Sequence, residues 1–261
     1  MKRTARLLAS GVVTGLGGGL ASLGGGTILI PLLTEWLDMS QLEARGTAMA
    51  TSGFTALSGA LSYGLHGSVD WRTLVWTGLP ALICAPVAAR ISRAWPQALL
   101  RRTFGVVVLL GALTLLLKGT VGGGFADTWP LAWLALVGVI AGSVAGIVGV
   151  SGGPVLAPLF VLGLGMPQAL AQGSSLLARL PAIAGGVAEN AREKAVDWHS
   201  LPLLATGVVA GTVIGSLLAL HLPERGLHWL FAALLVALGL HELGNRPLHR
   251  HIEHRPHGSY P

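Results

Sequence analysis

No Asp, Glu, Lys or Arg stands between Asp127 and Arg179, and Arg179 follows Gly173-Ser174-Ser175 within an apolar stretch. A guanidinium so placed is too deep to reach a loop comfortably, and ionisable groups inside apolar spans usually face a cavity or a partner. The paired N–H groups of arginine suit an oxyanion. Three readings follow: Arg179 holds an anion, pairs with Glu189, or runs along its helix to the headgroups. Glu189 lies ten residues on, about 15 Å along a straight helix, so pairing within that helix requires distortion. The corresponding stretch of the first half, Gly46 to Leu65, is apolar but studded with hydroxyls, among them Thr47, Thr51 and Ser52.

Glycines supply the second candidate. Gly24-Gly25-Gly26 precedes Pro31, and Ser151-Gly152-Gly153 precedes Pro158. Successive glycines remove the side chains that hold a helix, and proline removes a backbone donor. A helix broken inside a membrane exposes N–H groups that protein, water or solute must satisfy. Those groups carry partial positive charge and favour an oxyanion. Gly15-Gly19 and Gly142-Gly146 have instead the four-residue spacing of close helix packing.

These features are written twice. One constant offset carries Gly15, Gly25, Gly26, Leu29 and Pro31 onto Gly142, Gly152, Gly153, Leu156 and Pro158. The same offset carries Gly46 onto Gly173, Thr47 onto Ser174, and Asp70-Trp71 onto Asp197-Trp198. A register held without a gap over so long a stretch is expected of two homologous halves.

The elements that must position these residues are membrane helices. The chain of 261 residues is 52% hydrophobic and 11% charged, with mean hydropathy +0.68. Soluble domains carry about 25% charged residues, so the expected class is an all-α polytopic membrane protein. The net charge of +6 reads as topology determinants in short loops, with no nucleic-acid partner. Residues 7–117 form the first membrane repeat, 118–130 a linker, 131–243 the second repeat and 244–261 a polar cytoplasmic tail. The apolar N-terminal run is kept as part of the first repeat, because its glycines recur in the second. If each Gly-broken first helix enters and returns to the same side, only Arg72, Lys118 and Arg225 among the loop cations lie outside. That obeys the positive-inside tendency better than single crossings do. It also inverts the second half relative to the first, a recurring plan of secondary transporters.

The doubled G-x-x-x-G…GGG/SGG…P-L pattern, followed by Gly46-Thr47 and Gly173-Ser174-Ser175, resembles the TauE/SafE family of sulfite and sulfonate exporters. The resemblance covers roughly residues 8 to 243. It implies a multi-pass inner-membrane permease for sulfite, a sulfonate or a related organosulfur anion. With no nucleotide-binding motif, the energy is expected from a coupling proton or ion gradient, from the solute's own gradient or from a partner. The resemblance also implies that Gly24 to Gly26, Pro31, Gly46 and Thr47 line a site in the first half. In the second half Ser151 to Gly153, Pro158, Gly173 and Ser174 would do the same. Thr51, Ser52, Ser175 and Arg179 complete the expected substrate-binding set, with Pro31, Gly46, Pro158 and Gly173 as structural members. Ser151 and Pro154 replace Gly24 and Thr27, so the half-sites are expected to differ.

No His, Asp or Glu sits at a useful spacing beside the membrane hydroxyls, and GLGGGLASLGGG lacks the Lys-Ser/Thr of a phosphate loop. The expectation is therefore no enzyme, cofactor or metal, although the histidines of the tail could chelate an ion. An anion channel and a non-transporting scaffold remain as alternatives.

Overall fold

The computed structural model describes residues 2–92, 95–118, 131–148 and 153–244. Residues 119–130 of the linker, 245–261 of the tail, Ser151 and Gly152 therefore lie outside the described residues. Those described form helices and no strand: α1 Lys2–Ala21, α2 Gly25–Trp36, α3 Gln41–Leu65, α4 Trp71–Ser92, α5 Gln97–Lys118 and α6 Leu131–Val148. There follow α7 Gly153–Leu164, α8 Gln168–Ala178, α9 Leu180–Arg192, α10 Leu201–His221 and α11 Glu224–Gly244.

The bundle is apolar outside, and within it many hydroxyls are buried among apolar clusters. Leu61, Leu65, Ile83, Leu110 and Ile214 are exposed, whereas Thr47, Thr51, Thr55, Ser174, Ser175 and Thr212 are fully buried. Water would reward the opposite arrangement, so the surface is built for lipid. By length and composition alone, one described helix, Leu201–His221, is long and apolar enough to cross a membrane, while Leu131–Ile140 and Pro154–Leu164 are shorter apolar runs. Breaks, glycines and buried hydroxyls dilute the apolarity of the others.

The first expected break is real and sharp. α1 ends at Ala21, and Ser22 and Gly24 adopt left-handed backbone with φ of 50° and 72°. α2 then returns along α1. Arg6 Nη1 donates to the Trp36 carbonyl at 3.1 Å, although thirty residues of continuous helix would separate them by about 45 Å. A donor so placed also satisfies a carbonyl orphaned at the α2 C-terminus. The same device closes the α6–α7 pair, where Trp133 Nε1 donates to the Gly163 carbonyl at 2.8 Å. Trp133 and Gly163 stand at the same constant offset from Arg6 and Trp36 as the glycine motifs do from one another.

Helix seams set the remaining directions. Gly11, Gly15 and Gly19 of α1 abut the backbone at Leu204, Val208 and Thr212 of α10 in ascending order, so these helices run parallel. Gly138 and Gly142 of α6 abut Thr77 and Ala81 of α4 in the same sense. Two further pairs run antiparallel. Gly59 and Tyr63 of α3 meet Leu176 and Gly173 of α8, and Gly105 and Leu109 of α5 meet Leu243 and Gly239 of α11.

Helices α8 and α9 divide what hydropathy suggests is a single segment from Gly173 to Ala188. Pro181 stands at the second position of α9. It has no N–H, and its ring crowds the carbonyl four residues back. Arg179 occupies the resulting joint, with its backbone N–H turned to Leu177 O.

Candidate functional site

The α1–α2 hairpin tip meets α3 and α8 at the centre of the bundle. Arg179 is 2% exposed. Its Nη2 donates to Ser22 Oγ at 3.2 Å, and its Nε to the Ser175 carbonyl at 3.2 Å. Ser22 Oγ lies 2.7 Å from Ser175 Oγ, which donates to the Gln172 carbonyl at 2.9 Å. One consistent proton order runs from Arg179 through Ser22 and Ser175 to that carbonyl. On the other side of the tip, a Cβ on Gly25 would sit 3.0 Å from Ser52 Oγ. The start of α2 thus presses against α3, and its N-cap, Gly24, offers no side-chain cap.

Polar residues a turn away tie the tip in place. Tyr63 Oη lies 2.7 Å from both Gly19 O and Gln172 Oε1. One hydroxyl proton serves one acceptor at a time. Exchanging the Gln172 amide atoms would let the amide donate to Tyr63 and Tyr63 donate to Gly19. Gln172 Nε2 is buried without a hydrogen-bond partner; that exchange would give it Tyr63 Oη and leave the amide oxygen at the unpartnered position.

The structure brings Gly24, Gly25, Gly26, Ser52, Ser175 and Arg179 to one buried neighbourhood. Thr51 is buried one position before Ser52, its hydroxyl donated to Thr47 O at 2.7 Å. Thr47 and Ser174 lie elsewhere. Thr47 Oγ1 accepts the Asp197 N–H at 2.9 Å, and Ser174 Oγ accepts the Asp70 N–H at 2.9 Å. Gly46 and Gly173, one residue earlier, leave no room for a Cβ against the carbonyl oxygens of Ala195 and Ser68. Pro31 and Pro158 lie inside α2 and α7, and Gly153 opens α7. Glu189 pairs with Arg192 at 3.8 Å. Snorkelling does not describe an arginine held by Ser22 and Ser175.

Sequence reasoning missed Ser22, Tyr63 and Gln172. Ser22 stands just before the Gly24 cluster, and Gln172 is a lone amide before Gly173-Ser174-Ser175, so both carried a faint signal. Tyr63 carried none, since its partners are 44 and 109 residues away.

Among the described residues no three His, Cys, Asp or Glu side chains gather as a metal site. A lipid-facing helical bundle with a hydroxyl-lined interior and a buried arginine at a broken helix has the build of an integral membrane transporter. The chain belongs to the sulfite exporter TauE/SafE family, whose pattern matches residues 7–242. It is similar to the probable membrane transporter protein YjnA of Bacillus subtilis (strain 168), 24% identical over 90% of this chain and 97% of that protein. YdhB of the same organism, also named a probable membrane transporter protein, is 24% identical over 79% and 86%. A probable membrane transporter protein of Xylella fastidiosa (strain Temecula1 / ATCC 700964) is 25% identical over 90% and 92%. No solved structure matches the chain.

Proposed function

We propose that this protein is a multi-pass secondary permease of the inner membrane, carrying a small anion of the sulfite or sulfonate class, and not an enzyme. The observation that carries this reading is the buried Arg179 guanidinium, bonded to Ser22 beside the uncapped start of α2. An oxyanion entering there would replace serine oxygens as acceptor and meet the partial positive charge of the helix N-terminus. The family's printed description, sulfite exporter, supports the substrate class.

The same reading divides the chain into two inverted halves. Contacts matched at the repeat offset support the repeat: Arg6–Trp36 with Trp133–Gly163, and Thr47–Asp197 with Ser174–Asp70. Antiparallel pairing supports inversion, since α5 and α11 begin at equivalent positions, Gln97 and Glu224, yet run in opposite directions. The α1–α2 hairpin is then re-entrant, its second arm returning to the side where the first entered, and α6 and α7 are a pair of the same kind from the opposite face.

Sulfite flux in proteoliposomes tests the function. The parent should saturate and show counterflow, which separates a carrier from a channel; a scaffold would show no flux. Arg179→Gln should lower flux roughly ten- to a hundredfold, as loss of a hydrogen bond to a charged group predicts. Arg179→Lys should retain weak flux with a raised half-saturation concentration. Parent-like flux in the Gln variant, with equal insertion, removes Arg179 from the site.

A further inference from the structure

Two contacts close over this site, and they copy each other. In one, Gly46 abuts the Ala195 carbonyl while Thr47 Oγ1 accepts the Asp197 N–H. In the other, Gly173 abuts the Ser68 carbonyl while Ser174 Oγ accepts the Asp70 N–H. Each joins the second turn of a helix in one half to the loop before a helix in the other. Neither partner could be replaced by an apolar side chain without orphaning a backbone N–H.

Their positions bracket the hairpin tip. Tyr63 packs against Gly173, and sixteen residues of α3 separate it from Thr47, about 24 Å of helix. Between them on α3, Ser52 touches Gly25 and Thr55 touches Gly18, which puts the tip in the interval. Ser22 and Ser175 are fully buried there. With both contacts made, the bundle has the form of an occluded state.

We propose that these contacts are the two gates of the transport cycle, which part alternately: Thr47–Asp197 at the face of Arg6 and Trp36, Ser174–Asp70 at the opposite face. A gate held by one neutral hydrogen bond and a glycine-lined contact separates without stranding a buried charge. The two gates share their chemistry, so neither face is permanently favoured. The proposal rests on the permease reading for its meaning, but not for its test.

A reporter cysteine replaces Ser22 in a Cys84→Ala background and meets an impermeant thiol reagent in right-side-out and inverted vesicles. Thr47→Val should raise labelling about fivefold from the cytoplasmic face alone, as loss of one neutral hydrogen bond predicts. Ser174→Ala should raise it from the outer face alone. Thr47→Ser and Ser174→Thr keep the acceptor and should label like the parent, which a role in packing would not require. Thr47→Ala is read the same way where the valine variant does not insert. Unchanged labelling in both variants, or a rise from the same face in both, overturns the gates. One-sided opening in the reporter, with no sulfite flux in the parent that keeps Ser22, would keep the gates and discard the substrate. Sulfite flux without one-sided opening would do the reverse.

Discussion

α3 and α8–α9 occupy corresponding stretches of the chain, yet they agree at their starts and part company in the middle. Gly46 and Gly173 make the same close approach, and Thr47 and Ser174 accept the same kind of N–H. Five residues on, α3 has Ser52 and runs unbroken to Leu65, whereas α8 stops before Arg179. Pro181 breaks the second segment; Phe54, its counterpart in the first, lets that helix continue. The starts must fit a neighbouring backbone, and a backbone contact tolerates little variation. The middle faces the hairpin tip, where Ser52 bonds only its own helix through Ala48 O at 2.8 Å and Arg179 reaches Ser22. Here the two stretches differ in charge as well as in shape.

The largest expected effect comes from breaking the part that is shared. A Cβ on Gly46 or Gly173 would overlap a carbonyl oxygen, and backbone cannot step aside as a flexible side chain can. Gly46→Val and Gly173→Val should each sharply reduce extractable, monodisperse protein, by an amount typical of overpacking, about 1–3 kcal/mol or more. Gly185→Ala is the control. Nothing lies within 4 Å of its added methyl, and alanine favours helix by about 1 kcal/mol over glycine. Its thermal midpoint should hold or rise. Equal loss in all three would show that insertion, not the close approach, is being disturbed.

A smaller effect tests the part that differs. Tyr63 bridges Gly19 and Gln172, whereas its repeat counterpart Asn190 donates only to Gly186 within its own helix, at 2.7 Å. Tyr63→Phe should cost about 1–2 kcal/mol, as expected for one buried hydrogen bond whose partner is left unsatisfied. It should also raise the half-saturation concentration for sulfite, because the hairpin tip loses an anchor. Asn190→Leu should leave that concentration unchanged. A Tyr63 variant with a lowered thermal midpoint but parent-like half-saturation would restrict the hydroxyl to a structural part.

How much of this could be read beforehand follows from how local each feature is. The helical class was legible because so charge-poor a chain cannot cover a water-facing surface, although among the described helices Leu201–His221 alone is long and apolar enough to span. The break at Gly24 was legible because clustered glycines abolish helix support. The constant offset had already set Gly46 beside Gly173, and the two make similar close approaches. Their actual partners, Ala195 and Ser68, were not legible, since a carbonyl oxygen carries no side-chain signature. The same holds for Thr47 and Ser174, which the family resemblance placed at the solute and whose backbone partners no side-chain pattern announces. Pro181 was in plain view beside Arg179, and its consequence for the helix follows from the ring alone. Ser22 needed the hairpin to fold before its neighbour across the bundle could be known.

The smallest effect separates the two aspartates that begin corresponding helices. Asp70 Oδ1 accepts the Arg72 N–H at 3.1 Å and Oδ2 the Thr73 N–H at 3.2 Å. Asp197 Oδ1 accepts the His199 and Ser200 N–H groups at 3.0 and 3.1 Å. Only the second has a basic residue from the chain start beside it, Arg3 at 3.9 Å; the position corresponding to Arg3 is Pro130. Partial burial disfavours the Asp197 charge, but hydrogen bonds from Ser200 and His199, with Arg3, outweigh it and hold the carboxyl below its ordinary value. A depressed carboxylate stabilises the fold fully above its unfolded pKa, about 4, and loses that contribution as pH falls through the lower folded value. Asp197→Asn should therefore lower the thermal midpoint at neutral pH, and the gap to the parent should narrow below about pH 4. Arg3→Gln should do much less. Its side chain is 67% exposed, and such surface pairs contribute about 0–1 kcal/mol. A gap that persists unchanged into acid would assign the Asp197 effect to shape and hydrogen-bond geometry, leaving its charge without a part in starting α10.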